Sequence, residues 1–113
     1  MAAVSIEPVV SRRQQRQFID LPWRLYANDP CWMPPLRLAQ EELLGFRPHP
    51  FYERNRSRSF LAVRGGRTIG RITAIVNVGH IERYEEKRGF VGFFDCEDEV
   101  EAATGLCTAA REW

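Results

Sequence analysis

The chain has 113 residues, of which 44% are hydrophobic and 27% are charged, and its formal net charge is +1 at pH 7. This length and composition are typical of one globular domain with a modest core. A net charge so close to zero gives no overall electrostatic field that would attract nucleic acid or an anionic membrane. Such a partner would need a local basic patch. No apolar run is long enough to span a bilayer, and no secretory signal is recognisable. We therefore expect a cytoplasmic protein.

The first third of the chain predicts one strand and two helices. Residues 4–10 alternate and favour a strand that stops near Pro8. Ser11 and Gln14 form a capping-box pattern, which predicts a helix over residues 11–27. Pro22 interrupts that helix and predicts either a kink or two short helices. A helical spacing of leucines then predicts a second helix over residues 36–45, closed by Gly45.

Two β-branched runs flank Gly65-Gly66 and predict an antiparallel hairpin with strands at 59–65 and 67–78. The glycine pair accepts the positive φ angles of a two-residue type I′ turn. A short aromatic run at 89–95 predicts a further strand. The intervening link at residues 77–88 is compatible with longer strands or with a helical turn.

The last segment predicts a helix over residues 98–113. Asp98 and Glu101 resemble a capping box, and Gly105 should weaken the helix by roughly 1 kcal/mol relative to alanine. The apolar residues that share one helical face are Val100, Ala103, Leu106, Cys107, Ala110 and Trp113. Because the pattern stops on Trp113 without a cap, we expect residues 1–113 to form a single incomplete domain, a fragment of a longer fold.

Four segments of the chain resemble a bacterial, mostly uncharacterised group of GNAT-like proteins (acyl-CoA N-acyltransferases). They are Phe18-Ile-Asp-Leu-Pro-Trp-Arg-Leu-Tyr26, Asp29-Pro-Cys-Trp-Met-Pro-Pro-Leu36, Gly70-Arg-Ile-Thr-Ala-Ile-Val76 and Gly89-Phe-Val-Gly-Phe-Phe-Asp-Cys96. The resemblance implies an α/β (α+β) fold: the N-terminal half of a GNAT domain, with a mostly antiparallel sheet flanked by helices. It also implies transfer of an acyl group from acyl-CoA, such as acetyl-CoA, to an amine.

In that fold the pantetheine arm of acyl-CoA runs along the fourth strand, and the pyrophosphate sits at the N-terminus of the next helix. The resemblance therefore implies cofactor contacts by Phe93, Phe94, Asp95 and Cys96. In place of the family's glycine-containing loop, this chain has acidic residues from Asp95 to Glu99. Carboxylates at a helix N-terminus repel phosphate, so the alternative is a non-catalytic, GNAT-shaped binding module.

Candidate catalytic residues surround the end of the fourth strand. Asp95 and Glu97 are candidate general bases, although capping of the next helix explains them equally well. Cys96 is a weaker candidate nucleophile, because the neighbouring acids disfavour a thiolate. His80 could bind or deprotonate a substrate at the mouth of the cleft, and a structural histidine is the competing interpretation.

Other residue groups give weaker predictions. An aromatic cluster of Trp23, Tyr26, Trp32 and Met33 could line an acceptor pocket or simply pack in the core. The arginine-rich stretch from Arg47 to Arg67 could bind the phosphates of RNA or of a nucleotide, but the near-zero net charge and the lack of an RNA-binding signature favour a solvated loop. The cysteines and histidines lack the spacing of a metal site, so no metal is expected. An unpaired fourth strand predicts a homo-oligomer formed through the exposed sheet edge.

Overall fold

The structure, a computed structural model, describes residues 3–31, 33, 36–48, 56–76, 90–97 and 100–113. Its elements in chain order are β1 (Val4–Pro8), α1 (Arg12–Leu25), α2 (Arg37–Leu43), β2 (Arg56–Arg64), β3 (Arg67–Val76), β4 (Phe90–Cys96) and α3 (Val100–Glu112). The strands form one antiparallel sheet in the order β1-β2-β3-β4. The predicted α+β class with a mostly antiparallel sheet is confirmed.

The start of α1 follows the sequence prediction. The backbone N–H of Gln14 donates to Ser11 Oγ at 3.2 Å, and Gln14 Oε1 accepts from the backbone N–H of Ser11 at 3.1 Å. This reciprocal pair is a capping box, so two otherwise unpaired donors at the helix N-terminus are satisfied. The preceding strand β1 ends at Pro8, two residues earlier than the predicted range.

The helix α1 runs through Pro22, from Arg12 to Leu25, so of the two alternatives predicted there the pair of short helices is wrong. Proline lacks an N–H, so it cannot donate to the carbonyl of Phe18 four residues earlier. Arg71 Nη1 on β3 donates to that carbonyl instead, at 2.9 Å. On the other side, the Tyr26 N–H donates to the Pro22 carbonyl at 2.9 Å, which keeps the last turn closed.

The Gly65-Gly66 turn joins β2 and β3 as predicted. Both glycines have positive φ angles, 57° and 78°, and Arg64 pairs directly with Arg67. The strand β2 begins at Arg56, three residues before the predicted start, where it pairs with Val76 at the end of β3. The predicted strand residues 77–78 and 89 and the helix residues 98–99 lie outside the described residues.

Each face of the sheet is covered by a different helix. The helix α3 packs on a face whose buried residues are Phe60, Ala62, Ile69, Ile72, Ala74, Ala102, Leu106 and Ala110. The helix α1 covers the opposite face, where Phe18, Ile19, Leu44 and Leu61 are buried. Gly45, at φ 76°, ends α2 as the sequence predicts. None of the described helices is long and apolar enough to cross a membrane.

The sheet-facing side of α3 differs from the prediction. Val100 is 81% exposed and Cys107 is also exposed, whereas Ala102, Leu106 and Ala110 are buried. The helix approaches the sheet closely, since a Cβ atom at Gly105 would lie 2.9 Å from the Ile6 side chain. Small residues therefore face the sheet, and Gly105 permits packing that offsets its low helix propensity.

Candidate functional site

The strand β4 contains a bulge next to β3. Arg71 pairs with Asp95, and Thr73 pairs with Gly92, so one residue of β3 faces two residues of β4. Phe93 lies within this bulge at φ 54°, the only positive φ of a non-glycine residue among those described. A bulge bends its strand and interrupts the ladder of hydrogen bonds, and such features are frequent beside active sites.

Arg71 holds the bulge from the α1 side of the sheet. Its side chain is only 5% exposed, and its Nε and Nη2 atoms donate to Asp95 Oδ2 at 3.0 and 2.9 Å. The guanidinium lies 4.8 Å from the ring centre of Phe18 and 5.8 Å from that of Phe93. With the bond to the Phe18 carbonyl, one buried cation joins α1, β3 and the bulged strand. Arginine suits this position because its planar fork can satisfy several acceptors at once.

Tyr26 completes this group of residues at the C-terminal end of α1. Its hydroxyl donates to Asp95 Oδ1, so both carboxylate oxygens of Asp95 accept hydrogen bonds. The hydrogen bond to Asp95 raises the pKa of the Tyr26 hydroxyl above its ordinary value, with burial as the second cause. Burial lowers the pKa of the Arg71 guanidinium, and the charge of Asp95 opposes that shift. We call the buried Arg71, together with its two partly exposed partners Asp95 and Tyr26, the buried triad.

Glu97 makes a second, more exposed set of ion pairs. Its Oε2 atom lies 2.9 Å from Arg67 Nη2 and 3.3 Å from Arg24 Nη2, and Glu97 is 28% exposed. The backbone N–H of Glu97 also donates to the Ile69 carbonyl at 2.8 Å, which extends the pairing of β4 with β3. Asp95 and Glu97 are thus both paired with guanidiniums, so the phosphate repulsion expected from their sequence is reduced at these two positions.

The structure brings part of the predicted site together. Phe93 packs against the core on the α1 face, whereas Cys96 packs against the core on the α3 face. Phe94 is 46% exposed at the sheet edge. Asp95 lies near the end of the same strand, and Glu97 directly follows it. Each of the two belongs to one of the two sets of ion pairs described above. His80 lies outside the described residues, so its role stays a prediction.

The described members of the predicted aromatic cluster have different surroundings. Trp23 stacks under the Arg37 guanidinium at 4.2 Å, Tyr26 bonds to Asp95, and Met33 is 86% exposed. Trp32 lies outside the described residues. Among the described arginines of the basic stretch, Arg47, Arg64 and Arg67 pair with Glu41, Glu101 and Glu97, respectively.

Sequence reasoning missed Arg71 and the partnership of Tyr26 with Asp95. The available signal was a charged residue inside the otherwise apolar run of β3, directly after Gly70. A charge on a strand is read as facing solvent unless a second layer covers that face, and here α1 does so. Among the residues that the structure describes, no group of three or more histidine, cysteine or acidic side chains is placed to hold a metal ion.

The four-stranded sheet, the helices on its two faces and the bulged fourth strand define a GNAT-like fold. The chain is similar to a tandem GNAT protein from the clavulanic acid biosynthesis pathway, with a TM-score of 0.70 and 18% identity over 97% of this chain and 32% of that one. It also resembles an aminoglycoside acetyltransferase from an uncultured soil metagenomic sample, in complex with sisomicin. That comparison gives a TM-score of 0.59 and 16% identity over 96% of this chain and 68% of the other.

Two curated proteins are similar in sequence. The chain is 34% identical to the bacterial ceramide synthase of Caulobacter vibrioides (strain NA1000 / CB15N) over 99% of this chain and 29% of that protein. It is 31% identical to Protein YghO of Escherichia coli (strain K12) over 96% of this chain and 27% of that protein. The chain therefore spans less than a third of the length of these relatives. No family model matches the sequence.

Proposed function

We propose that this chain is part of an acyl-CoA-dependent N-acyltransferase. The observation that carries this proposal is the bulge of β4, which the buried triad holds at the edge of a GNAT-like sheet. In the reaction, the amine nitrogen forms a bond to the thioester carbonyl carbon while the carbon–sulfur bond breaks. A base accepts the proton that the amine loses, and this proton passes to the departing thiolate, so that coenzyme A leaves as the thiol.

The fourth strand is the part of this chain that would receive acyl-CoA. Bending at the bulge separates a strand from a neighbour on its far side, and this favours a cleft for the pantetheine arm. Phe94 and Val91, 46% and 64% exposed, offer apolar contact along the same strand. Cys96 packs on the α3 side of the sheet and Phe93 packs on the α1 side, so we propose that they support the strand from its two faces.

Glu97 is the stronger candidate for the general base. Asp95 is only 16% exposed and uses both oxygens in the buried triad, which favours a positioning role for it. Glu97 is 28% exposed, and the ion pairs with Arg24 and Arg67 engage the same oxygen, Oε2. Its accessibility supports contact with an incoming amine. His80 remains a second candidate for the base.

The similarity to a bacterial ceramide synthase suggests the class of acceptor. A ceramide is a long-chain amino alcohol acylated on nitrogen, so we propose a long-chain amino alcohol as the amine and a long-chain acyl-CoA as the donor. Because acyl-CoA is a cytoplasmic metabolite, we assign the activity to the cytoplasm.

The test uses the product of the complete reading frame that encodes these residues. Palmitoyl-CoA and sphinganine are mixed with the protein, the free thiol of coenzyme A is followed, and the amide is identified by mass spectrometry. We expect thiol release that requires both substrates. Glu97→Gln should lower kcat at least tenfold, whereas Arg111→Gln in the exposed last turn of α3 should match the wild type.

A binding module without catalysis is the second candidate, and the acidic residues before α3 favour it. Thermal shift with palmitoyl-CoA separates the two. A shift without amide formation for any tested amine supports the binding module, and the absence of any shift at millimolar acyl-CoA contradicts the enzyme.

A further inference from the structure

Three leucines at and beside the helix α2 are exposed, whereas Leu44, directly after the helix, is buried against the α1 face. Leu36, Leu38 and Leu43 are 78%, 56% and 54% exposed at and beside this helix, and no residue within it is buried. Arg37 and Glu41, spaced one turn apart, instead face the cleft between α2 and α1. A surface helix of a globular protein normally turns its apolar stripe inward, so this orientation leaves an apolar surface without cover from the described residues.

The cleft beside this surface is basic. It encloses about 460 Å³, and the arginines that line it are Arg12, Arg16, Arg37 and Arg47. Glu41, which also lines it, pairs with Arg47, and Asp20 pairs with Arg37. Among the described residues no carboxylate forms an ion pair with Arg12 or Arg16, so within this part of the chain these two positive charges are not compensated.

Exposed leucines beside uncompensated arginines match the chemistry of an anionic lipid surface. We propose that α2, with the adjacent arginine cleft, docks this protein on an anionic membrane. Leu36 and Leu38 would enter the boundary between headgroups and acyl chains, while Arg12 and Arg16 would contact lipid phosphates. The proposal rests on the proposed function in one respect: a long-chain amine and its acylated product both partition into a bilayer.

A second copy of the chain fits this surface less well than a membrane does. In a two-fold contact the same patch would face itself, so Arg12 and Arg16 would approach their own counterparts. Repulsion between these like charges opposes such a dimer, whereas the same arginines attract phosphate groups.

Co-sedimentation with vesicles tests the proposal on the product of the complete reading frame. One set of vesicles contains phosphatidylglycerol and phosphatidylethanolamine, and the other contains phosphatidylcholine alone. We expect binding to the anionic vesicles that weakens as salt is raised. Arg12→Gln with Arg16→Gln should reduce the partition coefficient by roughly fivefold for each arginine, since one basic residue near such a surface contributes about that factor. Leu36→Gln with Leu38→Gln should reduce it further.

The matched control is Val100→Gln with Arg111→Gln on α3, which removes one exposed apolar residue and one arginine from the opposite side of the sheet. This control should bind like the wild type. Equal binding to both kinds of vesicle, no binding to either, or an equal loss in the control would overturn the proposal. Light scattering without lipid adds another check: self-association that Leu36→Gln with Leu38→Gln abolishes would identify a second copy as the occupant instead.

Acyl transfer in detergent micelles separates this proposal from the proposed function. The arginine and leucine variants should retain wild-type turnover with detergent-solubilised sphinganine, because none of these residues belongs to the proposed catalytic machinery. Vesicle binding that persists while transfer is absent would leave membrane docking in place and remove the acyltransferase. Turnover without vesicle binding would remove membrane docking and leave the acyltransferase in place.

Discussion

The two faces of the sheet are stabilised by different kinds of interaction. The α3 face is filled by hydrocarbon, with Ala102, Leu106 and Ala110 lying against the strands. The α1 face places a charged group, Arg71, among buried residues, and a Ser59–Thr73 hydrogen bond of 2.9 Å lies on the same side. The first face depends on close packing, which tolerates no added volume. The second depends on complete hydrogen bonding, so loss of a single partner is costly there.

The largest effect should come from removing the cation of the α1 face. Arg71→Ala leaves Asp95 Oδ2 and the Phe18 carbonyl without the donor that Arg71 supplies, while Asp95 Oδ1 keeps the Tyr26 hydroxyl. Breaking a buried ion pair in this way costs about 3–5 kcal/mol of unfolding free energy. Urea unfolding followed by circular dichroism measures this loss, and Arg111→Ala serves as the exposed control.

A double substitution sharpens that result. Arg71→Met with Asp95→Leu removes both charges of the pair together, and such replacements are often close to neutral. The double variant should therefore be more stable than Arg71→Ala. A double variant less stable than Arg71→Ala would mean that packing around the long Arg71 side chain, rather than the Asp95 carboxylate left without Arg71, determines the loss of unfolding free energy.

The stability of the α3 face should instead be sensitive to added side-chain volume. A Cβ atom at Gly70 would lie 2.8 Å from both Cys96 Sγ and Leu106 Cδ1. We expect Gly70→Ala to lower the unfolding free energy by about 1–3 kcal/mol, the usual cost of overpacking a core. Gly92→Ala is the control, because nothing lies within 4 Å of a Cβ atom there. Equal losses in the two variants would show that backbone freedom, not contact with α3, explains the effect.

This contrast also separates what the sequence could predict from what it could not. The Gly65-Gly66 turn and the Ser11–Gln14 capping box are local, so the residue types alone indicate them. The Phe18 carbonyl, which Pro22 leaves without a backbone donor, accepts from Arg71, a residue 49 positions beyond Pro22 in the sequence. No local pattern contains that contact, so the sequence left a kink and two short helices as alternatives at Pro22.

The candidate site was predictable to a similar depth. The resemblance placed Asp95 and Glu97 at the end of the fourth strand, where the structure has them. Their partners were not predictable, because Arg71, Tyr26 and Arg24 come from other elements of the fold. The bulge at Phe93 was missed for the same reason: a register shift is a property of two paired strands.

A smaller effect is expected where α1 begins. Ser11→Ala removes the oxygen that accepts from the Gln14 N–H, and loss of such a cap costs about 1 kcal/mol. The midpoint of urea unfolding should fall while the slope of the transition is unchanged. Ser5→Ala on the exposed part of β1 is a suitable comparison and should differ little from the wild type. A loss of several kcal/mol would mean that the capping box also positions α1 over the buried triad.

The smallest effect concerns the pH dependence of the polar face. The Tyr26 hydroxyl donates to Asp95, and its pKa in the folded protein is raised above the ordinary value of 10.0. A raised folded pKa means that the stabilising contribution is fully present below pH 10 and is lost as pH rises through the folded value. Because Tyr26 is partly exposed, its hydrogen bond should contribute only about 0.5–1 kcal/mol.

Thermal unfolding of the wild type and Tyr26→Phe between pH 7 and pH 11.5 measures this contribution. We expect the wild type to unfold at a higher temperature at pH 7, and the difference to shrink above pH 10 as the tyrosinate forms beside the Asp95 carboxylate. Other tyrosines titrate in both proteins and cancel in the comparison. No difference at pH 7 would mean that the ring of Tyr26, which both proteins keep, and not its hydroxyl, stabilises the end of α1. Asp95 would then depend on Arg71 alone.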